Sequence, residues 1–417
     1  MKGLWGNRDF RLLWTGETTS MLGSMVASTA LPLVAVVTLQ ASTFQVALLT
    51  AVAWLPWLIV GLPAGAWVDR LPKRPVMLIC NTVSMAVFGS VPLAAAFGAL
   101  TMPYLLAAAT LGGFAKVFFT LAYRAYLPAL VGADELLEGN AKLQGSESAT
   151  QVAGPGLAGL LAQVLGPVSG ILADAVSFGV SVLCVRAIRA RETVVAAERT
   201  PLRSQIAEGL RFVVSDRYLR TLTVFGAVSN IALTGYGSIQ IVFLSRTLGA
   251  APGLVGLVLA LGATGGVLGA ALVGRLGARF GAARAFLLCE AFVAPMGLLG
   301  PLSRPGWGLV PYVLALFGVC AGLVASNILT MTFRQQYCPP ELFSRINSSA
   351  AIVNYGTIPL AGVLGGALGE AIGVRETLWV MAGVLIAAFP VLLPFAKLRE
   401  FPAREEGRPP RRLPQPT

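Results

Sequence analysis

Apolar runs long enough to cross a bilayer recur along the whole of this sequence. About twelve are visible, at 11–38, 44–68, 76–97, 103–127, 141–165, 168–188, 218–246, 252–276, 283–302, 308–337, 343–372 and 376–396. A helical span needs roughly 20 predominantly apolar residues. In lipid each backbone N–H and C=O must be paired within the protein, so an unbroken span of this kind is a helix. Charged residues make up 12% of the chain, against about 25% in ordinary soluble domains. A water-soluble fold has no means of hiding so much apolar surface. The expected fold class is an all-α membrane protein with twelve transmembrane helices.

The loops on one side are very short, as at Ala41-Ser42-Thr43, which forces antiparallel neighbours. The longest break is 189–217, rich in Arg and Glu, and it divides the helices into six plus six. The expected organisation is a six-helix bundle at 1–188, a linker at 189–217, a second bundle at 218–396 and a tail at 397–417. Within the linker, Leu202, Ile206, Leu210 and Val213 follow helical spacing behind Pro201. This predicts an amphipathic helix on the inner membrane surface. The tail is basic and proline-rich and is expected to be disordered.

The net charge of +12 has two readings, nucleic acid or cytoplasmic turns. The distribution favours the second. With the amino terminus inside, only Lys116, Arg246, Arg304 and Arg375 fall within the bilayer or outside it. The positive-inside rule therefore places both termini in the cytoplasm. The five cysteines lie singly in or at the ends of helices, without metal-ligand spacing, and read as small buried apolar residues. The first apolar run is long enough to stay as a helix, so no cleavable signal is expected. No phosphate-binding loop occurs, which argues against ATP-driven transport by this chain alone.

The halves repeat one another weakly. Leu157-Ala-Gly-Leu-Leu-Ala-Gln-Val-Leu-Gly166 matches Leu360-Ala-Gly-Val-Leu-Gly-Gly-Ala-Leu-Gly369 at an offset of 203. Arg70 and its surroundings match Arg275 at an offset of 205. Two matches at nearly one offset point to duplication.

Between the second and third runs stands Gly65-Ala-Trp-Val-Asp69-Arg70-Leu-Pro-Lys73-Arg74. It resembles the signature loop of major facilitator superfamily transporters, G-x-x-x-D-[RK]-x-x-[RK]-[RK]. Gly154-Pro155-Gly156-Leu157-Ala158-Gly159 on helix 5 resembles the G-P-x-x-[GA]-G motif of antiporter branches. Trp14-Thr-Gly-Glu17, Tyr126-Leu-Pro-Ala-Leu-Val131 and Glu138-Gly-Asn-Ala-Lys-Leu-Gln144 are similar to the bacterial drug-exporter branch, which includes the enterobactin exporter and macrolide-efflux proteins. The resemblance implies two pseudo-symmetric six-helix bundles with the substrate between them. It implies that helices 1, 4, 7 and 10 line the cavity. It also implies that Asp69, supported by Gly65, Arg70, Lys73 and Arg74, meets the start of helix 11 near Ser344 and Arg345. That contact would lock the cytoplasmic side when the cavity faces outward. Pro72 inside the loop, and Gly274 where the second copy would carry Asp69, depart from the pattern. Lys116 and Arg124 depart from the neutral helix 4 of the branch, which leaves the substrate's charge open.

An ionisable group within lipid is a functional candidate by default. Glu17, Ser20, Ser24 and Ser28 make one stripe on helix 1. Lys116, Thr120 and Arg124 share a face of helix 4. At about 1.5 Å per residue, Glu17 lies level with Thr120, within reach of Lys116 or Arg124. Glu17 either exchanges a proton for substrate or forms a permanent ion pair that joins the two helices. Histidine is absent, so a proton carrier must be a carboxyl group or Lys116, tuned by burial and neighbours. Asn230, Thr234 and Ser238 on helix 7, and Asn327, Thr330 and Arg334 on helix 10, either bind substrate or bridge helices. Glu147, Asp174 and Glu290 are expected to pair structurally. Glu370, near an outer end, is expected to be wet.

These readings give a monomeric secondary transporter of a bacterial inner membrane, multi-pass and not an enzyme. It would export a small, largely apolar compound of drug, macrolide or siderophore type, driven by the proton gradient and without a cofactor. Its partners would be substrate, protons and lipid, with no nucleic acid. A nutrient importer on the same fold and a lysophospholipid-moving protein are the alternatives. A membrane sensor would need an output domain that the inner segments do not supply.

Overall fold

A computed structural model of the chain describes residues 4–132, 135–190 and 202–402, apart from the side chains at 62, 66, 69, 129, 202–207, 340, 341 and 344. The linker positions 191–201, the tail 403–417 and the Asp69–Ser344 contact lie outside the described residues.

The first six long helices are α1 (Arg8–Leu33), α2 (Thr43–Arg70), α3 (Lys73–Ala96), α4 (Met102–Leu130), α5 (Leu136–Leu165) and α6 (Ser169–Ala187). A shorter α7 (Leu202–Ser215) follows. The second six are α8 (Arg217–Val242), α9 (Pro252–Phe280), α10 (Ala282–Leu299), α11 (Val310–Tyr337), α12 (Pro340–Ala371) and α13 (Val374–Ala388), the last running into a 3₁₀ turn at Phe389–Phe395. No strand occurs among the described residues. Among the described residues, eleven helices are long and apolar enough to span a membrane. The remaining one, α5, is equally long but carries Gln144, Glu147, Ser148 and Gln151 on one exposed face. A polar face of that length at membrane depth must line water or protein rather than lipid. The fold is therefore the expected twelve-helix one. On the other helices many exposed side chains are apolar, for example Leu93, Phe97, Leu172 and Leu183.

Packing within each half follows one plan. In the first, α1 packs on α5 and α6, α4 on α2 and α3, and α3 on α6. In the second, α8 packs on α12 and α13, α11 on α9 and α10, and α10 on α13. Local devices repeat as well. Asn7 caps α1 and donates from Nδ2 to Leu130 O at the end of α4, 3.2 Å away. Asp216 caps α8 and accepts from the Tyr337 hydroxyl at the end of α11, at 2.6 Å. Both leading helices end in a π-turn, Val34–Thr38 and Phe243–Thr247.

The halves meet along two seams, α2 on α12 and α5 on α9. Glycine sets the approach. A Cβ at Gly159 would stand 2.7 Å from the Gly256 Cα, and one at Gly362 would stand 3.1 Å from the Ala51 N. These two contacts are images of one another: Gly362 is Gly159 displaced by 203 positions, and Gly256 is Ala51 displaced by 205. The offsets of the sequence repeat are thus those of the pseudo-two-fold axis.

Both seams close at the short-loop end and open at the other, basic end. Along α12, a Cβ at Gly369 or Gly366 would crowd Thr43, Ala47 or Phe44, whereas one at Gly356 would only touch Leu58 at 3.3 Å. Further down, a Cβ at Gly65 of α2, or at Gly145 and Gly274 on the other seam, would meet nothing within 4 Å. No neighbouring helix therefore stands against Gly65 in this conformation. The buried cores agree. One continuous core at the short-loop end joins Leu33, Val46 and Leu105 to Val242, Phe243 and Tyr312. At the basic end there are two separate cores, one around Phe10, Met77 and Tyr126, the other around Leu219, Phe286 and Phe395. A cavity between the halves opens at the basic end.

The segment Leu202–Ser215 is helical. Val213 is buried in the second half's core and Gly209 sits against the Arg345 backbone, so α7 docks on protein at the start of α12. Three cysteines are buried and two half-buried, all of them free thiols.

Candidate functional site: a central cavity with a charged wall

The signature turn is built from helix ends. Lys73 Nζ donates to Val68 O (2.7 Å) and Leu71 O (2.9 Å), where α2 stops. Arg74 donates from Nε to Val185 O (3.1 Å) and from Nη2 to Arg186 O (2.8 Å) at the end of α6. Cations suit the carbonyl ends of helices, each contributing about 0.3–1 kcal/mol. Asp9 completes the set by accepting from the Arg189 and Ala190 N–H groups. Arg70 is exposed. Arg345 pairs with Glu208 of α7.

Inside the first half, four ionisable side chains converge from four helices. Glu17 (α1) is buried, and its Oε2 has no hydrogen-bond partner. Lys116 (α4) and Glu147 (α5) are solvent-facing and lie within electrostatic range of Glu17. Asp174 (α6) is 1% exposed and lies, like Glu17, within electrostatic range of Lys116. Asp174 approaches α1 because Gly23 leaves room; a Cβ there would stand 2.8 Å from its Oδ1. Ser177 donates to it from Oγ, at 3.4 Å. Tyr123, two turns along the same face from Lys116, adds a buried hydroxyl in range of Glu17 and Glu147. No ion pair joins these groups among the described residues. Lys116 is shared between several carboxyls instead of being committed to one.

Lys116 lies within electrostatic range of Glu17 with no ion pair between them, while Arg124 is exposed further toward the basic end. Ser24 is half-buried, and Ser28 bonds to its own helix at Met25 O. Thr120 is half-buried. Asp174 and Glu147 were expected only to pair structurally; both belong to this cluster. For Glu147 the signal was present in the Gln144, Glu147, Gln151 face. For Asp174 it was not, because Gly23 opposite it becomes informative only once α1 and α6 are packed.

In the second half, Asn230 bridges α8 to Asn354 O (3.3 Å) and Arg334 bridges α11 to Asn347 Oδ1 (3.4 Å). Ser238 bonds to Gly235 O within its own helix. Thr234 and Thr330 are half-buried and Asn327 is exposed. Glu290 of α10 is buried, and so is Ser326 of α11, whose hydroxyl has no hydrogen-bond partner.

The helix-5 motif lies where three helices meet. Gly154 abuts Met25 of α1, the Pro155 carbonyl faces Gly256, and Gly159 makes the α9 contact described above.

Three side chains clamp the short-loop end across the halves. Arg246 donates to Ala41 O (2.7 Å) and Val36 O (3.5 Å), Glu370 accepts from Phe44 N (3.0 Å), and Gln163 accepts from Gly253 N (3.2 Å). Glu370 is thus not merely wet; it holds the exposed N–H at the start of α2. Hydrogen bonds from charged groups contribute roughly 1.5–3 kcal/mol, less when half exposed. Arg246→Ala should raise the population opened at this end by about tenfold. The check is the labelling rate of T43C by an impermeant maleimide, with the native cysteines replaced. An unchanged rate would show that the clamp is idle.

Comparison with known proteins agrees with this architecture. The profile of the transmembrane secretion effector family matches residues 5–417. The chain is 28% identical to the multidrug efflux pump Tap of Mycolicibacterium fortuitum, over 86% of this chain and 89% of that one. It is 21% identical to macrolide efflux protein A of Streptococcus pyogenes, over 92% and 95%. Among solved structures it resembles the nucleoside transporter NupG (TM-score 0.78, 12% identity, covering 93% of this chain and 99% of that one). It also resembles a bacterial homologue of the iron transporter ferroportin (TM-score 0.74, 15% identity, covering 94% and 99%). With the fold, the repeat and the signature turn all in place, the chain belongs to the transmembrane secretion effector family of major facilitator superfamily transporters.

Proposed function

We propose that the protein is a proton-coupled exporter of small, largely apolar compounds, working as a monomer in a bacterial inner membrane. The observation that carries this reading is Glu17: a buried carboxyl with an unpartnered oxygen, beside a cavity wall bearing Lys116 and Glu147. Leaving a charged oxygen buried without a donor is costly. A group in that position can trade its proton as the cavity changes sides. Lys116 then balances whichever carboxyl is charged, and Arg124 adds a positive mouth. The efflux names of the relatives support export over import.

The basic end faces the cytoplasm in this reading, by the positive-inside rule, and both termini lie there. The conformation described is the inward-open one. The lock of Gly65, Asp69, Arg70, Lys73 and Arg74 against α12 belongs to the opposite state. Arg345 would exchange Glu208 for that lock on switching. Gly154, Pro155 and Gly159 serve as the pivot of the α5–α9 seam. The proton gradient supplies the energy, without a cofactor.

The test is accumulation of dyes, macrolides and siderophores in energised cells, with and without a protonophore. Expression should lower accumulation of at least one compound, and the protonophore should erase the difference. Raised accumulation would mean import, and no change across the panel would remove the reading.

A further inference from the structure

Several cations at the basic end have an identifiable task. Arg8, Lys73, Arg74 and Arg220 hold carbonyls at helix ends, and Lys142 and Arg345 pair with carboxylates. Arg334, near the end of α11, does neither. It is half-buried, and its hydrogen bond runs from Nη1 to Asn347 Oδ1 at 3.4 Å, a long contact to a neutral group. Its Nε is buried without a partner, whereas Nη2 is neither bonded nor closed off from solvent. Among the described residues no carboxylate reaches it. Asp216 is taken up by Tyr218 N, Leu219 N and the Tyr337 hydroxyl, and Glu208 by Arg345. A guanidinium half removed from water without a counter-charge is costly, and an arriving anion removes that cost.

The faces of α11 fix where the anion stands. Gly318 and Gly322 turn to α10, and the Phe317 and Ala321 carbonyls turn to α9. The exposed Leu314, Ile328 and Thr332 mark the outer side. At 3.6 residues per turn, Asn327, Thr330 and Arg334 fall on the remaining side, toward the space between the halves. The Thr330 hydroxyl and the Asn327 amide have no protein partner either.

We infer that Arg334, with Thr330 and Asn327 on the same face, is a subsite for an oxyanion of carboxylate or sulfonate type, carried on an otherwise apolar substrate. The inference rests on the transporter reading above and deepens it by naming the substrate's charged group. Nη1 and Nη2 can present parallel N–H groups to two oxygens of such a group, a geometry that an ammonium does not offer. Thr330 and Asn327 supply further donors along the helix. In the first half, the carboxyls of Glu17, Glu147 and Asp174 repel the same charge whenever they are ionised. The anionic end is therefore directed to the second half. The labour is divided: proton exchange in the first half, anion recognition in the second.

The experiment uses the full chain in nanodiscs of zwitterionic lipid, with empty discs subtracted. The probes are two fluorophores of one ring skeleton, anilinonaphthalene sulfonate and the neutral N-phenyl-1-naphthylamine. Saturable binding of the sulfonate is expected. Arg334→Gln should weaken it at least about tenfold and leave the neutral probe within about twofold. Arg334→Lys, which keeps the charge without the planar fork, should recover part of the loss. An unfolding midpoint matching the parent shows that both variants are folded. No saturable sulfonate binding, equal weakening of both probes, or loss in Lys116→Gln with none in Arg334→Gln would overturn the subsite. Displacement by lysophosphatidylglycerol but not by 1-naphthoate would assign the site to a lipid headgroup and overturn it as a substrate site. No gradient or transport is involved, so failure of proton-driven export in cells would leave this result standing, and the reverse.

Discussion

Glu17→Gln is expected to abolish the whole of the proton-driven component of efflux while leaving the protein folded and able to bind substrate. The amide is nearly isosteric with the carboxyl and cannot exchange a proton. Its folding cost should be small, about 1 kcal/mol or less, because the replaced oxygen has no partner to lose. The measurement is substrate efflux from proteoliposomes with an imposed pH gradient, alongside exchange of labelled for unlabelled substrate without one. Loss of gradient-driven efflux with exchange retained is the expected pattern. Loss of both would mean that Glu17 binds substrate or holds the helices. Retention of both would move coupling to Asp174, the other buried carboxyl of the cluster.

Gly159→Leu should drive the protein out of the conformation described here. A Cβ at this position would lie 2.7 Å from both the Gly256 Cα and the Pro252 O. Those are backbone atoms and cannot step aside as a flexible side chain can. Overpacking of this kind costs roughly 1–3 kcal/mol, which is about fivefold to 150-fold in a two-state ratio. The penalty applies only where the α5–α9 seam is closed, so the state opened at the short-loop end gains. Spin labels at the basic ends of α2 and α12 should report a shortened distance. Gly145→Leu, on the same helix where a Cβ meets nothing within 4 Å, should leave the distance unchanged. Equal shifts from both substitutions would point to a general loss of helix packing instead.

Fold class was legible in the sequence for a simple reason. The bilayer imposes span length, helical backbone and charge asymmetry on each segment separately, and local composition records all three. The exception was α5, whose polar face broke the apolar rule because it fronts the cavity. The duplication was also legible, down to the offsets that relate Gly159–Gly256 to Gly362–Ala51. The motif at Gly154–Gly159 and the basic turn at Lys73–Arg74 could be found by pattern, but their physical work could not. Lys73 and Arg74 hold the carbonyl ends of α2 and α6, a role set by where those helices stop in space.

Only the tertiary structure decided which charges meet. Asp174 and Lys116 are 58 positions apart, and nothing local couples them. The gap at Gly23 and the packing of α1 against α6 do. Glu370, Arg246 and Gln163 likewise look like ordinary outer polar residues until the halves close and each finds a backbone group across the seam. The open end of the cavity is a property of how the two bundles sit together, and the docking of α7 of how it meets α12. Periodicity and composition describe one helix in one environment. Long-range pairing depends on the relative placement of whole helices, which a single sequence encodes only through the sum of all their contacts.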